Sequence, residues 1–444
     1  MSKDQGVTRW LQSSSPAVFN GYCIVAAFVT YFCMYAFRKP FSVGTFSGQV
    51  DLGFLPPVDY KIVLIFSQVF GYTLSKFLGI KVVSEATQNK RALYLLLFIG
   101  LAELSLILFA IVPDSLKPLM LFLNGLPLGM VWGLTFSFLE GRKSTELLGA
   151  GLSTSYIVAS GAVKSVGRMV LSWGVPENYM PLVTGLIFFP ALLLAVKMLS
   201  LIPAPTKEEE VLRTKRVPMN QKSRQTFFFK FAPGLVCLTI FYMFLTAYRD
   251  FRDNFAREIW DSVGHGGEAM IFTSSELPIA VTVLAVLAAV MFVKNNQKAV
   301  AVVHGLLVAG SVMIGLSTWL FTHQMISPLA WMVTVGLGLY LGYVPFGCVL
   351  FDRIIASTKF VGTAGFMIYM TDSFGYLGSV LMMLYKNFGH ANLSWLQFFV
   401  NISYFTSVAC SIGFFLSGIY FWKVSSESFK PVAYPQKSSA LQEN

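Results

Sequence analysis

The chain has 444 residues, of which 55% are hydrophobic and only 12% charged, and its 33 Lys and Arg against 22 Asp and Glu give a formal charge of +11. Soluble domains carry about a quarter charged residues. This composition excludes a water-soluble globular protein and indicates an all-α polytopic membrane protein. The surplus cations sit in short loops between apolar runs, which excludes a nucleic-acid-binding surface and reads as membrane topology.

Twelve apolar stretches follow in order. The first half predicts crossings near Val18–Arg38, Ile62–Gly79, Ala92–Val112, Leu119–Leu139, Leu148–Trp173 and Met180–Ile202. The second predicts Phe231–Arg249, Leu277–Val293, Ala299–Thr322, Pro328–Phe351, Gly362–Leu384 and Leu396–Trp422. Between them Pro203–Lys230 is the longest polar segment, with Glu208, Glu209 and Glu210 ahead of Arg213, Lys215, Arg216, Lys222 and Arg224. It reads as a solvated linker. The expected domains are a six-helix bundle over 1–202, the linker over 203–230, and a second six-helix bundle with a tail over 231–444.

Lys81, Lys90, Arg91, Arg142, Lys143, the linker, Lys294, Lys298, Arg353 and Lys359 fall on one side of that plan, against Lys61, Lys117 and Lys386 on the other. The asymmetry places both termini in the cytoplasm. The amino end, with Lys3, Asp4 and Arg9 before a long span, does not read as a cleavable signal. A cell (inner) membrane is the expected location. Six crossings, a linker and six more give the 6+6 plan of transporters built from two halves around a midplane site.

Polar residues inside the spans mark that site, because a charge at the bilayer centre costs at least about 2.5–3.5 kcal/mol. Tyr31, Tyr35 and Arg38 stand at i, i+4 and i+7, on one face of a helix that ends in Lys39, Pro40 and Phe41. Gln68, Tyr72 and Lys76 form a second stripe, and Tyr156, Ser160 and Lys164 a third. Tyr242, Thr246 and Arg249 form a fourth, which favours Arg249 over Arg252 as the inward arginine of its span. Asp250 or Asp253 would neutralise whichever of the two is idle. Asp372 shares a face with Tyr369 and Tyr376 and reads equally as a proton-coupling carboxylate or as the partner of a basic residue. Arg168 is expected to reach the rim or pair structurally, Glu103 to pair with a nearby cation, and His304 to pack between helices.

The stretch Tyr31, Tyr35, Arg38, Lys39 and Phe41 resembles the first transmembrane helix of the organophosphate:phosphate antiporter family, a branch of the major facilitator superfamily. Gly71-Tyr72-Thr73-Leu74-Ser75-Lys76-Phe77 resembles that family's second helix, and the run from Asn124 to Gly133 the superfamily's Gly-rich fourth helix, read here as packing. Tyr343-Val344-Pro345-Phe346-Gly347, Gly362-Thr363-Ala364-Gly365-Phe366 and Phe374-Gly375-Tyr376-Leu377-Gly378-Ser379 resemble its tenth and eleventh. The sequence departs from the pattern where Ser160 stands in place of a histidine, and in the loop after the second span. The resemblance implies a substrate clamp of Arg38 and Arg249 from opposite halves. Lys76 and Lys164 would add positive potential, and Tyr31, Tyr35, Tyr72 and Tyr156 would orient the organic part.

The expected function is therefore exchange of an organophosphate for phosphate by alternating access, in a monomer whose partners are a small anionic substrate and the lipid bilayer. The alternatives are a proton-coupled symporter of an organic anion such as a sugar acid, motivated by Asp372, Asp250 and Asp253, and a transporter-like membrane sensor. No phosphate-binding Gly loop, nucleophile–base pair or Cys/His metal spacing is present, so no enzyme, cofactor or metal is expected. The five cysteines read as buried small hydrophobes.

Overall fold

The computed structural model describes residues 3–51, 53, 57–85, 88–206, 209, 221–358, 364–389 and 392–428. Most of the basic linker cluster, Lys359 and the first two residues of the Gly362–Phe366 motif lie outside them. After a short helix α1 (Lys3–Ser13), the chain runs through α2 (Pro16–Ala36), α3 (Tyr60–Glu85), α4 (Gln88–Ile111), α5 (Lys117–Leu128), α6 (Val131–Ser137), α7 (Thr145–Ser172) and α8 (Met180–Ser200). Then come α9 (Gln221–Lys230), α10 (Ala232–Asn254), α11 (Ala256–Ser262), α12 (Ile271–Met291), α13 (Asn296–Thr322), α14 (Pro328–Cys348), α15 (Leu350–Thr358), α16 (Ala364–Leu384) and α17 (Trp395–Ser428). Two short strands, β1 (Gln49–Val50) and β2 (Val58–Asp59), pair antiparallel in the loop before α3.

Local chemistry sets several boundaries. Ser15 caps α2 by accepting from the Val18 amide, with Pro16 in the first turn, and Ser327 with Pro328 does the same for α14. The predicted fourth span is broken into α5 and α6 at Gly129 and Met130, two residues after Pro127. The glycines there are packing sites, as expected: a side chain on Gly125 would run into the Gln68 carbonyl on α3.

Among the described residues ten spans are long and apolar enough to cross a membrane, against the twelve expected. The other two expected crossings, α7 and α16, are 28 and 21 residues long. At about 1.5 Å per residue either would traverse a hydrocarbon core of about 30 Å. They fall short in apolarity because they run through the middle of the bundle. α7 packs on α2, α12 and α14, and α16 on α10 and α3, so their Ser, Thr, Lys and Asp side chains meet protein. The chain is an integral multi-pass membrane protein.

The helices fall into two sets by contact. In one, α2 packs on α7 and α8, α3 on α5, and α4 on α5 and α8. In the other, α10 packs on α16 and α17, α13 on α14 and α17, and α12 on α14. The sets meet where α7 crosses α12 and α14 and where α3 meets α16. Close approach at the first of these depends on Gly161, where a side chain would meet the Phe272 carbonyl.

The first crossing ends sooner than expected. α2 stops at Ala36, and the chain passes Arg38 and Lys39 into a 3₁₀ turn over Pro40–Val43. Arg38 is nevertheless only 1% exposed, because Pro40 turns the chain into the bundle instead of out of it.

Candidate functional site

A small cavity lies between the two sets, lined by Tyr31, Tyr35, Tyr156, Lys76, Arg249 and Asp372 among others. Its aromatic wall is continuous. Tyr31 meets Tyr35 and Tyr156 edge-on, Tyr156 meets Tyr343, and Tyr242 stacks on Tyr343 at 4.9 Å. Such rings supply apolar surface and hydroxyl groups together.

The centre is Tyr376 of α16. Its ring lies 5.7 Å from the Arg38 guanidinium and 5.3 Å from that of Arg249, and its hydroxyl accepts from Arg249 Nη2 at 2.9 Å. Arg38 also stacks over Tyr72 at 3.6 Å, which meets Tyr376 at 4.7 Å between ring centres. The two arginines thus approach the Tyr376 ring from opposite sets, Arg38 beside Tyr72 and Arg249 beside Tyr343. Arg38 does not line the cavity wall in this conformation. Its Nε and Nη2 have no hydrogen-bond partner despite full burial, an arrangement that costs free energy unless an acceptor arrives.

The other charges are matched. Arg249 binds Asp250 at 2.8 Å, and Lys76 reaches across the sets to Asp372 at 2.7 Å. Asp372 also accepts from the Tyr242 hydroxyl at 3.3 Å. On the cavity wall itself Lys76 and Arg249 against Asp372 leave one net positive charge.

A second polar cluster closes one end. Asp253 of α10 binds both Lys39 and Lys164, accepts from the Ser160 hydroxyl, and so ties the start of the 3₁₀ turn and α7 to the opposite set. Lys39 also donates to Asn254 at 2.8 Å. Next to it Arg252 binds Glu276 at 2.6 Å and donates to the Met332 carbonyl. The Lys61–Glu258 pair and the bond from Arg257 to the Val43 carbonyl reinforce the same end. At the far end Glu146 and Arg353 pair at 3.1 Å. The cavity lining reaches Trp132, Ser153, Gly347 and Ile368, towards that far end.

Several expectations are corrected by this geometry. Ser160 and Lys164 belong to the Asp253 cluster, one turn or two beyond Tyr156, and do not line the central cavity. Arg252 is neutralised by Glu276 of a neighbouring helix, and Asp250 attends Arg249 itself, so neither aspartate attends an idle arginine. Both oxygens of Glu103 are buried without a partner, against Gly185 of α8 and no cation. Arg168 pairs structurally, donating to the Gly266 carbonyl, and His304 packs between Val300 and Ser417. The five cysteines are unpaired.

Reasoning from sequence missed Tyr376 and Tyr343 as site residues. The signal for Tyr376 was present in its helical spacing from Asp372; Tyr343 lay inside a run read only for its resemblance to the family's tenth helix. Lys39 as an ion-pair partner of Asp253 had no local signal, because the two are 214 positions apart in the chain.

The chain belongs to a family of unknown function, DUF5690, whose model matches residues 40–424. No curated protein matches its sequence. Among solved structures it is similar to a D-xylose–proton symporter, with a TM-score of 0.59 and 14% identity over 94% of this chain and 99% of that one. It is also similar to a POT family transporter in complex with a thioalcohol-conjugated peptide, at TM-score 0.57 and 15% identity over 91% of this chain and 96% of the other. A POT family transporter in complex with 5-aminolevulinic acid gives 0.56 and 13% over the same shares. These likenesses establish the major facilitator fold; at such identities they carry nothing of the substrate.

Proposed function

We propose that the protein is a secondary transporter that moves a small organic anion by alternating access, with exchange of an organophosphate for phosphate as the first reading. The observation that carries it is Arg38. A fully buried guanidinium whose Nε and Nη2 have no hydrogen-bond partner, held by stacking and bonded to no carboxylate, is poised for an acceptor with several oxygens. Arg249 supplies the second arm of a clamp once the Tyr376 hydroxyl yields to the substrate. The tyrosine wall holds the organic portion. Substrate bound to both arginines favours closure of the two sets about it, and the pairs around Asp253 and Glu146–Arg353 alternate in closing the two ends.

A second reading, proton-coupled symport of an organic anion, is favoured by Asp372, a carboxylate on the cavity wall that bridges the two sets through Lys76. Thermal unfolding of the detergent-solubilised protein against a panel of phosphate, sugar phosphates and sugar acids tests the site. A true ligand at a hundred times its Kd stabilises by about 2.7 kcal/mol. Phosphoryl compounds are expected to raise Tm in wild type and not in Arg38→Lys. A shift with sugar acids alone would move the assignment to the second reading, and no shift with any anion would overturn both.

A further inference from the structure

We infer that Asp372 acts as a built-in stand-in for the anionic group of the substrate, allowing the empty carrier to close and so to move substrate in net fashion as well as by exchange. The inference rests on the transporter reading above and deepens it.

Lys76 and Arg249 on the cavity wall and Arg38 behind it differ in how their charge is met. Arg249 pairs with Asp250, the next residue on the same helix. That hydrogen-bonded pair lies within one set and does not have to form across the interface. Arg38 hydrogen-bonds no carboxylate. Lys76 is different: its partner Asp372 belongs to the opposite set, so this pair forms only when α3 and α16 come together. Both residues line the cavity.

Lys76 is 4% exposed. Closing two helices over an ammonium group without a counter-charge costs several kcal/mol. A carrier whose cavity cations had no internal partner across the interface would need a substrate anion for each closure, which enforces exchange. Here the carboxylate of Asp372 supplies that charge in the absence of any ligand, oriented by the Tyr242 hydroxyl. The pairs at Asp253 and at Glu146–Arg353 also bridge the sets, but each lies at one end and latches that end alone. Lys76–Asp372 lies beside Arg249, where the substrate itself is proposed to bind.

The test compares the parent with Asp372→Asn, Lys76→Gln and the double variant, reconstituted without ligand. Spin labels on Ser200→Cys and Lys294→Cys, in a background with the native cysteines replaced, report the distance between the two sets by pulsed electron resonance. Asp372→Asn is expected to deplete the short-distance population at least fivefold. The double variant, with neither charge, is expected to return within twofold of the parent. In parallel, vesicles loaded with labelled phosphate are diluted into medium with and without glycerol phosphate. Asp372→Asn is expected to lose at least tenfold in efflux into ligand-free medium relative to its own exchange rate.

Equal distance distributions in parent and Asp372→Asn would overturn the inference. So would a double variant as depleted as the single one, or a ratio of net efflux to exchange in Asp372→Asn equal to that in the parent. Absence of exchange by the parent would instead count against the phosphate-transport reading, and the ligand-free distances would still judge Asp372.

Discussion

Asp253→Asn tests the latch at one end of the bundle. The carboxylate holds Lys39 and Lys164, which are 1% and 3% exposed, and accepts from Ser160. Breaking a buried ion pair costs about 3–5 kcal/mol because the remaining charge is left uncompensated. Asparagine keeps the side-chain oxygen, and Lys164 keeps its bond to the Asp253 backbone carbonyl. Half the cost, about 1.5–2.5 kcal/mol, is then a fair magnitude, applied to the state in which this end is closed. The protein relieves it by opening that end and hydrating the two lysines, a population shift of roughly ten- to sixtyfold at about 1.4 kcal/mol per decade. Ala256→Cys, buried beside the cluster, reports the opening by its rate of labelling with a membrane-impermeant maleimide in proteoliposomes. The rate should rise at least tenfold when Asp253→Asn is added. An unchanged rate in a variant that folds normally would refute the reasoning.

Three further outcomes follow from individual contacts. Tyr72→Leu removes the ring under Arg38, a desolvated cation–π contact of about 1–2 kcal/mol, and should weaken anion binding by roughly five- to thirtyfold, whereas Tyr72→Phe keeps the ring and should stay within about threefold in the same titration. Glu276→Gln strands the buried Arg252 and should destabilise the protein by about 3 kcal/mol or more in chemical unfolding, with the Arg252→Gln/Glu276→Gln double variant more stable than the single one. Glu177, in the loop after α7, is held below the usual carboxylate range: burial opposes its ionisation, but the Thr45 hydroxyl and the amides of Thr45 and Phe46 outweigh that. A depressed folded value means that its contribution is complete above the ordinary glutamate value of about 4.3 and is lost as pH falls through the folded one. Partial exposure screens the effect to under about 1 kcal/mol. Wild type should therefore lose a small increment of Tm between pH 5 and pH 3 that Glu177→Gln does not show.

The fold was legible because a crossing helix announces itself by length and apolarity alone. Even α7 and α16, shielded by other helices and so free to carry polar side chains, were found as crossings; the break of the fourth span at Gly129 and Met130 and the early end of the first were not, because both are local turns inside an apolar run. At the site, helical spacing located Tyr31, Tyr35, Tyr156, Lys76 and Arg249 on the cavity wall, since a 3.6-residue period says which residues share a face, whereas Tyr72 of the same stripe as Lys76 lies under Arg38 instead. It could not say which helix that face meets. Lys164 and Tyr156 share a stripe, yet the stripe runs from the cavity into the Asp253 cluster, and only the packing of α7 on α12 decides where one ends. Arg38 was placed by its stripe with the two tyrosines, but α2 ends two residues earlier and the 3₁₀ turn sets the guanidinium behind Tyr72. The pairing of Arg252 with Glu276, and of Asp253 with Lys39, depends on contacts between separate helices that periodicity does not encode.

The central claim is that two arginines from opposite sets form one anion clamp. Its most direct measurement is the exchange of labelled phosphate for a sugar phosphate in proteoliposomes, for wild type, Arg38→Lys and Arg249→Lys. Lysine keeps the charge and loses the planar fork that grips two oxygens at once. The account predicts exchange by wild type and at least a hundredfold loss in each variant, with folding retained. Exchange by wild type that persists in either lysine variant would contradict the clamp.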